Sequence, residues 1–340
     1  MQALYSKYRP QNFDEVIGQD HISVPLKKAV SDNKFSHAFL FSGTRGTGKT
    51  SVARILSREI GTDSNDLYEI DAASHTGVDD MREILESVET LPLSSEYKVY
   101  ILDEVHMLSK SAFNALLKTL EEPPHHAIFI LATTEPDKVP ETIRSRCEVY
   151  TFREPNELIL KEVVENISKK EKVKLDKGVS ELVAKLGNGS FRDTLSHLQK
   201  VISLSDDEII SREEVENITG IPSGDLVMKW LKAYIVQDSE LYREVINDLS
   251  SKQKDAKIFT ELLIEKFRVM LLVKVGSLKM TDVTFCTDSE IESMNILISE
   301  NGEGIDSIKL RRLLSAYTEI SSSPKPYIPL ELAFIESLEV

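Results

Sequence analysis

A run of eight residues early in the chain has the composition and spacing of a phosphate-binding loop. The run reads Gly43, Thr44, Arg45, Gly46, Thr47, Gly48, Lys49 and Thr50, followed by Ser51, and matches G-x-x-x-x-G-K-[ST]. Glycines let successive backbone N–H groups face one hollow, and a helix that starts there adds a positive N-terminal dipole. In such a loop Lys49 reaches the β- and γ-phosphates, and the Thr50 hydroxyl coordinates Mg²⁺. The run therefore predicts nucleotide binding rather than a Gly-rich turn that binds nothing.

Two adjacent carboxylates, Asp103 and Glu104, follow the apolar run at 99–102. Such a run is typical of a strand buried on both faces, and its C-terminal end opens onto a ligand crevice. Because parallel strands end along one edge, Asp103 can lie beside the loop despite its distance in sequence. There Asp103 would hold Mg²⁺ through water, and Glu104 would polarise the water that attacks the γ-phosphate. An isolated Asp-Glu pair would instead indicate a solvated strand end.

The elements that must position these residues alternate between strand and helix as far as Phe152. This alternation predicts an α/β fold with an open parallel sheet, helices on both faces and a nucleotide at the sheet edge. The strand at 128–132 ends at Thr133 and Thr134, where a hydroxyl could report the state of the γ-phosphate. From Pro155 the strand pattern stops and amphipathic helices follow. We predict an α/β nucleotide-binding domain at 1–154, a helical lid domain at 155–221 and a helical collar or oligomerisation domain at 222–340.

The composition is that of an ordinary globular protein, with 340 residues, 41% hydrophobic and 29% charged. A net charge of −15 argues against a general nucleic-acid coat but leaves a local basic surface open. No apolar run approaches the length of a membrane span, and the N-terminus lacks the apolar core of a signal peptide, so we expect a cytoplasmic protein without a membrane partner. Cys147 and Cys286 have no ligand-spaced partners, which excludes a disulfide framework and a four-ligand zinc site built from them.

Taken together, these motifs resemble those of the clamp-loader ATPases of the AAA+ class, most closely the gamma/tau family of bacterial DNA polymerase III. The resemblance spans the chain and is strongest through about residue 200. The stretches that carry it are 4–10 (LYSKYRP), 43–50, 69–74 (EIDAAS), 102–109 (LDEVHMLS), 114–123, 131–134 (LATT), 145–147 (SRC), 189–193 (GSFRD) and, weakly, 329–333 (PLELA).

The resemblance implies roles for individual residues around ATP and Mg²⁺. Thr134 resembles the first sensor, and Arg192 in the lid resembles the second sensor, which reaches the γ-phosphate. Arg146 resembles the arginine finger that serves the ATP of a neighbouring subunit. The residues implied to border the adenine are Tyr8, Arg9, Val16 and Ile17. For Arg146 or Arg192 alone, the alternative is a surface ion pair.

The resemblance also implies partners: other clamp-loader subunits in a ring, which in the family is pentameric, a sliding clamp and primer-template DNA. Gly77 and Val78 at a helix start, with Arg82 one turn on, are where we expect DNA phosphate contacts. The neighbouring Asp79 weakens that expectation, and an ordinary capped helix is the alternative. His75 could add to such a contact, although a solvated histidine is the commoner case.

Two features depart from the family pattern. The family usually carries a four-cysteine zinc module between the P-loop helix and the next strand, and only residues 62–66 stand there, so we expect no zinc. The chain also ends just after the collar-like region, so it resembles the short, gamma-like form or a trimmed piece. Two rival functions stay open: a stator-like ring subunit that binds ATP with little turnover, and another AAA+ DNA translocase. Intact Lys49, Asp103, Glu104 and Arg146 speak against the stator.

Overall fold

A computed structural model of the chain describes residues 2–74, 77–205, 209–251, 254–280, 283, 286 and 288–338. The chain divides into two compact units. The first comprises Met1–Ile167 with Val183–Gln199, and the second comprises Ser168–Leu182 with Lys200–Val340. The three-domain division at residues 154 and 221 stays a prediction.

The first unit is built on a five-stranded parallel sheet whose strands are short apolar runs. The strands are β1 (Ala38–Ser42), β2 (Leu67–Asp71), β3 (Lys98–Asp103), β4 (Ala127–Thr133) and β5 (Glu148–Thr151). Their order across the sheet is β2-β3-β4-β1-β5, and every neighbouring pair is parallel. Since β1 lies between β4 and β5, the loop after β1 follows an internal strand and not an edge strand. The predicted α/β fold with an open parallel sheet is confirmed.

Helices cover both faces of this sheet. The helices that begin in the first unit up to residue 167 are α1 (Leu4–Lys7), α2 (Asp20–Ser31), α3 (Lys49–Glu59), α4 (Val78–Val88), α5 (Lys110–Glu121), α6 (Glu141–Arg144) and α7 (Glu157–Lys170). Alternate strand residues point to opposite faces. On one face Leu102 and Leu131 pack with Leu116 of α5, whereas on the other Ile101 and Ile130 pack with the helices α2 and α3. Two apolar layers therefore hold the strand ends in place.

Two further helices, α8 (Val179–Leu186) and α9 (Phe191–Leu204), contribute residues to both units. Between them, the Ser190 hydroxyl accepts a hydrogen bond from Asp193 N at 3.2 Å. A serine in this place satisfies one of the free N–H groups of the first helical turn. Arg192, the predicted second sensor, therefore lies in the first turn of α9.

The second unit is mainly helical. Its helices are α10 (Arg212–Thr219), α11 (Gly224–Val236), α12 (Ser239–Ser251), α13 (Ala256–Lys274), α14 (Asp288–Asn301), α15 (Ser307–Ile320) and α16 (Ile328–Leu338). Its core centres on aromatic side chains, with Trp230, Tyr234, Phe259 and Phe267 all fully buried. Trp230 and Tyr234 of α11 lie with ring centroids 4.9 Å apart. The amphipathic helices predicted beyond residue 155 are confirmed.

The expectation that only helices follow Pro155 is wrong in one detail. Two short strands, β6 (Lys174–Leu175) and β7 (Ile209–Ile210), pair in parallel within the second unit. Strands of two residues are too short to show an alternating pattern, so the sequence contains no signal for them. None of the helices in the described ranges has the length and apolarity to cross a membrane.

Candidate nucleotide-binding site

The phosphate-binding loop joins β1 to α3 at the C-terminal edge of the sheet. Gly43, Gly46 and Gly48 have φ angles of +146°, +78° and +106°, a region that favours glycine. A Cβ on Gly46 would lie 2.0 Å from Ser190 Oγ, and one on Gly43 would lie 2.7 Å from Phe152 O. The loop backbone is thus curled, as a phosphate-binding loop requires, and other residues pack closely against it.

The loop lysine is buried at the start of α3. Lys49 is 6% exposed, and its Nζ donates hydrogen bonds to Gly43 O at 2.7 Å and Thr44 O at 2.8 Å. Burial lowers the pKa of Lys49, whereas the nearby carboxylates of Glu104 and Asp103 act in the opposite direction. The ammonium group therefore lies among loop carbonyls with two carboxylates close enough to affect its charge.

Thr50 and Asp103, the predicted magnesium ligands, are brought into direct contact. Thr50 Oγ1 donates a hydrogen bond to Asp103 Oδ2 at 2.7 Å, although the residues are 53 positions apart. A hydroxyl beside a carboxylate suits Mg²⁺, which protein sites usually hold through one or two such groups together with water and substrate phosphates. Among the described residues no group of three or more His, Cys, Asp or Glu side chains could hold a metal ion.

Glu104 and Thr134, from neighbouring strand ends, also meet. Thr134 Oγ1 donates to Glu104 Oε2 at 3.0 Å. Glu104 itself has φ +50° and ψ +44°, a left-handed conformation that is uncommon for a residue with a Cβ. Such backbone strain concentrates at functional sites, because the surrounding structure must hold it. The turn after β3 directs the carboxylate toward the hydroxyl at the end of β4.

Two residues without a predicted role belong to the same edge. Gln19 is 1% exposed; its Nε2 donates to Arg153 O at 2.7 Å and its Oε1 accepts from Arg153 N at 3.2 Å. Gln19 Nε2 also lies 3.5 Å from Thr47 O of the loop. His106, whose side chain is 8% exposed, contacts Glu104, Thr133 and Glu135. A polar residue that is buried only by the tertiary fold gives no periodicity signal, which is why sequence reasoning missed both.

The second sensor candidate, Arg192, lies over an aromatic ring. Its guanidinium carbon is 5.9 Å from the centroid of Tyr5 in α1. Arg192 also lies near enough to Lys49 and Arg9 to lower the pKa of both. Burial is the larger cause at Arg9, followed by repulsion from Arg54. Arg9 and Arg192 therefore extend the positive charge of the phosphate loop.

The other residues predicted to border the adenine occupy the segment before α2 and the end of α1. Val16 is partly buried against the core shared by α2 and α3, whereas Ile17 is 42% exposed. Tyr8 is partly buried, and its ring lies 5.2 Å from Lys7 Nζ. Their position at an adenine ring stays a prediction.

Arg146 is held by residues of α5 and α6 that are not among the predicted magnesium ligands. Its Nη2 pairs with Glu121 Oε1 at 2.5 Å, and its Nη1 donates to Thr142 O at 2.7 Å. The guanidinium is about one-third exposed. These contacts place Arg146 on the surface beside the C-terminal end of α5. A side chain in this position is accessible to a neighbouring subunit.

The predicted DNA contacts lie at the start of α4. Gly77 O accepts a hydrogen bond from Met81 N at 3.3 Å, and α4 begins at Val78. Arg82 Nη1 pairs with Asp79 Oδ1 at 3.0 Å, and both side chains are largely exposed. Exposed pairs of this kind are weak, so a phosphate could compete for Arg82. His75 lies outside the described residues.

The two cysteines lie in different units and are both half-buried. Burial raises the pKa of Cys147 to about 12, so its thiol stays protonated and packs against the sheet core. Cys286 packs against the helical core with Lys266 Nζ 3.7 Å from its sulfur. The environment of Cys147 is that of a small apolar side chain, whereas Cys286 also lies beside a buried ammonium group.

Comparison with known proteins gives a consistent set of relatives. The family model for the DNA polymerase III delta subunit matches residues 62–156. The tau subunit of Bacillus subtilis DNA polymerase III is 43% identical over 296 residues, covering 81% of this chain and 52% of that protein. The gamma subunit of Buchnera aphidicola is 34% identical over 360 aligned positions, covering 99% of this chain and 98% of that protein. The chain spans about half the length of the tau and gamma/tau relatives.

Among solved structures, the fold is similar to that of the Thermotoga maritima RuvB Holliday junction branch migration motor. That match has a TM-score of 0.54 and 24% identity, and it covers 69% of this chain and 80% of the other. At this level of identity the similarity concerns the fold alone.

Proposed function

The chain belongs to the gamma/tau family of DNA polymerase III subunits, and on that premise we propose that it is an ATP-driven clamp-loader subunit. In this role it would bind and hydrolyse ATP while helping to open a sliding clamp and place it on primer-template DNA. The observation that supports the proposal most is the 2.7 Å hydrogen bond between Thr50 and Asp103. It joins the phosphate loop to the acidic strand end, which is the arrangement that ATP hydrolysis needs.

Binding would use the loop and its lysine. The curled backbone at Gly43 to Thr50 offers N–H groups to the phosphates, and Lys49 would exchange its two carbonyl partners for β- and γ-phosphate oxygens. Thr50 and Asp103 would hold Mg²⁺, which would supply positive charge to neutralise the phosphates. Tyr8, Arg9, Val16 and Ile17 would border the adenine.

Hydrolysis would depend on Glu104 as the group that polarises the attacking water. Thr134 holds one oxygen of that carboxylate at 3.0 Å, so the hydroxyl would orient the base as well as sense the γ-phosphate. Arg192 would add positive charge from the first turn of α9. Electrostatic stabilisation by groups already in position is the main way in which such sites accelerate phosphoryl transfer.

The site would be completed by a neighbouring subunit. Arg146 is held by Glu121 on the surface and would supply transition-state charge in trans, so the active protein would be an oligomer, a ring with other clamp-loader subunits. Gly77, Val78 and Arg82 would contact DNA phosphates at the start of α4. These contacts would carry no sequence preference, because phosphates are the same at every base pair.

The test measures ATP turnover of the assembled loader with no addition, with sliding clamp, with primed DNA and with both. We expect ATP turnover to be stimulated most when sliding clamp and primed DNA are both present. We expect no such stimulation when the subunit carries Glu104→Gln. Strong turnover that ignores clamp and DNA would contradict clamp loading. Stimulation by branched duplex DNA without a clamp would favour a translocase, and negligible turnover in all four conditions would favour a stator.

A further inference from the structure

His106 is a nearly buried titratable side chain for which the proposed mechanism has no use. It lies in the short 3₁₀ segment Val105–Met107, directly after the strained Glu104. Its side chain is 8% exposed. Burying a polar ring is costly unless its nitrogens are satisfied, so its partners show what it does.

Both ring nitrogens point to groups at the sheet edge. Nδ1 lies 3.1 Å from Thr133 Oγ1 and 3.4 Å from Glu104 Oε2. Nε2 lies 3.4 Å from Glu135 Oε1. The Glu104 oxygen that His106 approaches is the same Oε2 that accepts the Thr134 hydroxyl. Two side chains therefore converge on one oxygen of the carboxylate.

Thr133 connects this cluster to the phosphate loop. Its backbone carbonyl accepts a hydrogen bond from Gly43 N at 3.2 Å, and its hydroxyl both contacts His106 and accepts from Glu135 N at 3.0 Å. A displacement of His106 would thus also displace Gly43, the first residue of the loop. Packed networks of this kind have few alternative arrangements, because each hydrogen bond limits the next.

The network ends at the surface on Glu135. Lys138 Nζ contacts both Glu135 oxygens at 2.9 Å, and this interaction keeps the pKa of Glu135 below its ordinary value. Glu135 therefore stays ionised near neutral pH and presents a carboxylate oxygen 3.4 Å from His106 Nε2. When both ring nitrogens carry a proton, Nε2–H faces Glu135 and Nδ1–H faces Glu104, so the ring lies between the two carboxylates.

We propose that His106 is a positioning residue that holds the Glu104 carboxylate, together with Thr134, in the orientation needed to polarise the attacking water. The inference rests on the proposed ATPase function. It explains why Glu104 can keep a left-handed backbone, since two flanking side chains hold its carboxylate. A misplacement of a reacting group by about 1 Å costs roughly a hundredfold in rate, so loss of one of two anchors would be visible.

The test compares two substitutions, the apolar His106→Leu, which is close to histidine in volume, and the smaller but polar His106→Asn. Leucine removes both polar contacts, whereas the asparagine amide can replace Nδ1 near Thr133 and Glu104. We expect His106→Leu to lower kcat by roughly tenfold to a hundredfold with little change in KM for ATP. We expect His106→Asn to recover most of that loss. His126→Leu, which removes a contact to Val88 O far from Glu104 in the same unit, controls for a general loss of packing.

A double-mutant cycle with Thr134→Val separates positioning from packing. If both side chains hold the same carboxylate, the combined loss in kcat is smaller than the product of the single losses. Multiplicative losses, a normal kcat for His106→Leu, or equal losses for leucine and asparagine would each overturn the inference. Failure of the proposed function is a distinct result, since it would appear as normal turnover in Glu104→Gln alone.

Discussion

At the scale of single residues, the site joins one buried cation to two carboxylates at neighbouring strand ends. Lys49 donates to two loop carbonyls, Thr50 bonds Asp103, and Glu104 bonds Thr134. Thr50 and Glu104 are each held by a partner from a different segment, so these groups are already close together before a charged substrate arrives. This preorganisation is where most of the catalytic stabilisation would come from.

The first prediction concerns Lys49. We expect Lys49→Ala to abolish measurable ATP binding, because its charge-assisted contacts to two phosphates are worth ~3 kcal/mol or more, about a hundredfold in affinity. Titration with a fluorescent ATP analogue measures this, with Lys34→Ala on the exposed turn before β1 as the matched control. Near-normal affinity in Lys49→Ala would show that the loop is not the phosphate site.

At the scale of elements, the phosphate loop depends on a close approach between two segments of the first unit. The space for a side chain at Gly46 is filled by Ser190, whose hydroxyl also lies at the start of α9. Gly46 O in turn accepts a hydrogen bond from Phe191 N at 3.0 Å. The loop and the helix that carries Arg192 are therefore in direct contact.

We predict that Gly46→Ala weakens ATP binding more than backbone strain explains. Gly46 and Gly61 have similar φ angles, +78° and +89°, so alanine costs about 1 kcal/mol of strain at either. Only at Gly46 does the new Cβ meet another atom, whereas at Gly61 nothing lies within 4 Å. Thermal unfolding and ATP titration of both variants separate the two effects. Equal behaviour of the pair would contradict a steric role for Ser190.

A second element, the link at residues 62–66, is anchored by a buried carboxylate. Asp66 is fully buried and accepts hydrogen bonds from Leu93 N, Ser94 N and Ser95 N at 2.6, 2.8 and 2.8 Å. Burial by itself raises the pKa of Asp66, but these backbone donors outweigh it and hold the pKa below its ordinary value. The ionised carboxylate ties the link to the loop that precedes β3.

The third prediction is a pH-dependent stability difference at Asp66. Because its folded pKa is lowered, the stabilisation is present above the unfolded value of about 3.9 and is lost as the pH falls through the folded value. Asp66→Asn turns an amide toward backbone donors, so we expect it to cost on the order of 2 kcal/mol near neutral pH and less below about pH 4. Urea unfolding of the unchanged protein and of Asp66→Asn, near neutral pH and below about pH 4, measures this difference in the free energy of unfolding. If the difference in free energy of unfolding does not change with pH, the charge of Asp66 plays no part in stability.

At the scale of the whole molecule, Arg146 is the residue whose proposed role needs a second copy or a related subunit. Its contacts to Glu121 and Thr142 keep the guanidinium at the surface of the first unit. An arginine finger is worth on the order of a thousandfold in rate. A site that is completed from outside links hydrolysis to assembly, since a lone subunit has no such charge.

The fourth prediction tests this arrangement by mixing inactive variants. We expect Arg146→Ala to bind ATP and to lose roughly a thousandfold in turnover. Mixed with Lys49→Ala, it should regain part of that turnover in the assembled ring, because the Lys49→Ala subunit still donates its own Arg146. Mixing Lys49→Ala with Glu104→Gln is the control and should restore nothing, since the ATP-bound subunit then lacks its base. Normal turnover in pure Arg146→Ala would remove the proposed role in trans.

The amino-acid sequence by itself was sufficient for the kind of fold and for placing Asp103 beside the phosphate loop. Apolar runs and helical spacing are local properties, so β3 with its buried residues and the helix over Val78–Val88 could be predicted from them. The phosphate loop is also local, because eight consecutive residues carry both its curvature and its charge. The choice of Asp103 followed from a rule that places parallel strand ends on one edge.

The tertiary structure alone decided which groups touch. The pairing of Glu104 with Thr134, the contact of Gly46 with Ser190 and the two-residue strands β6 and β7 depend on residues distant in sequence. No local pattern marks a buried histidine or glutamine, since the cost of burying it is met by partners that only the folded chain supplies. Sequence patterns identify elements because their causes lie within a few residues, whereas hydrogen-bond partners are chosen by how those elements pack.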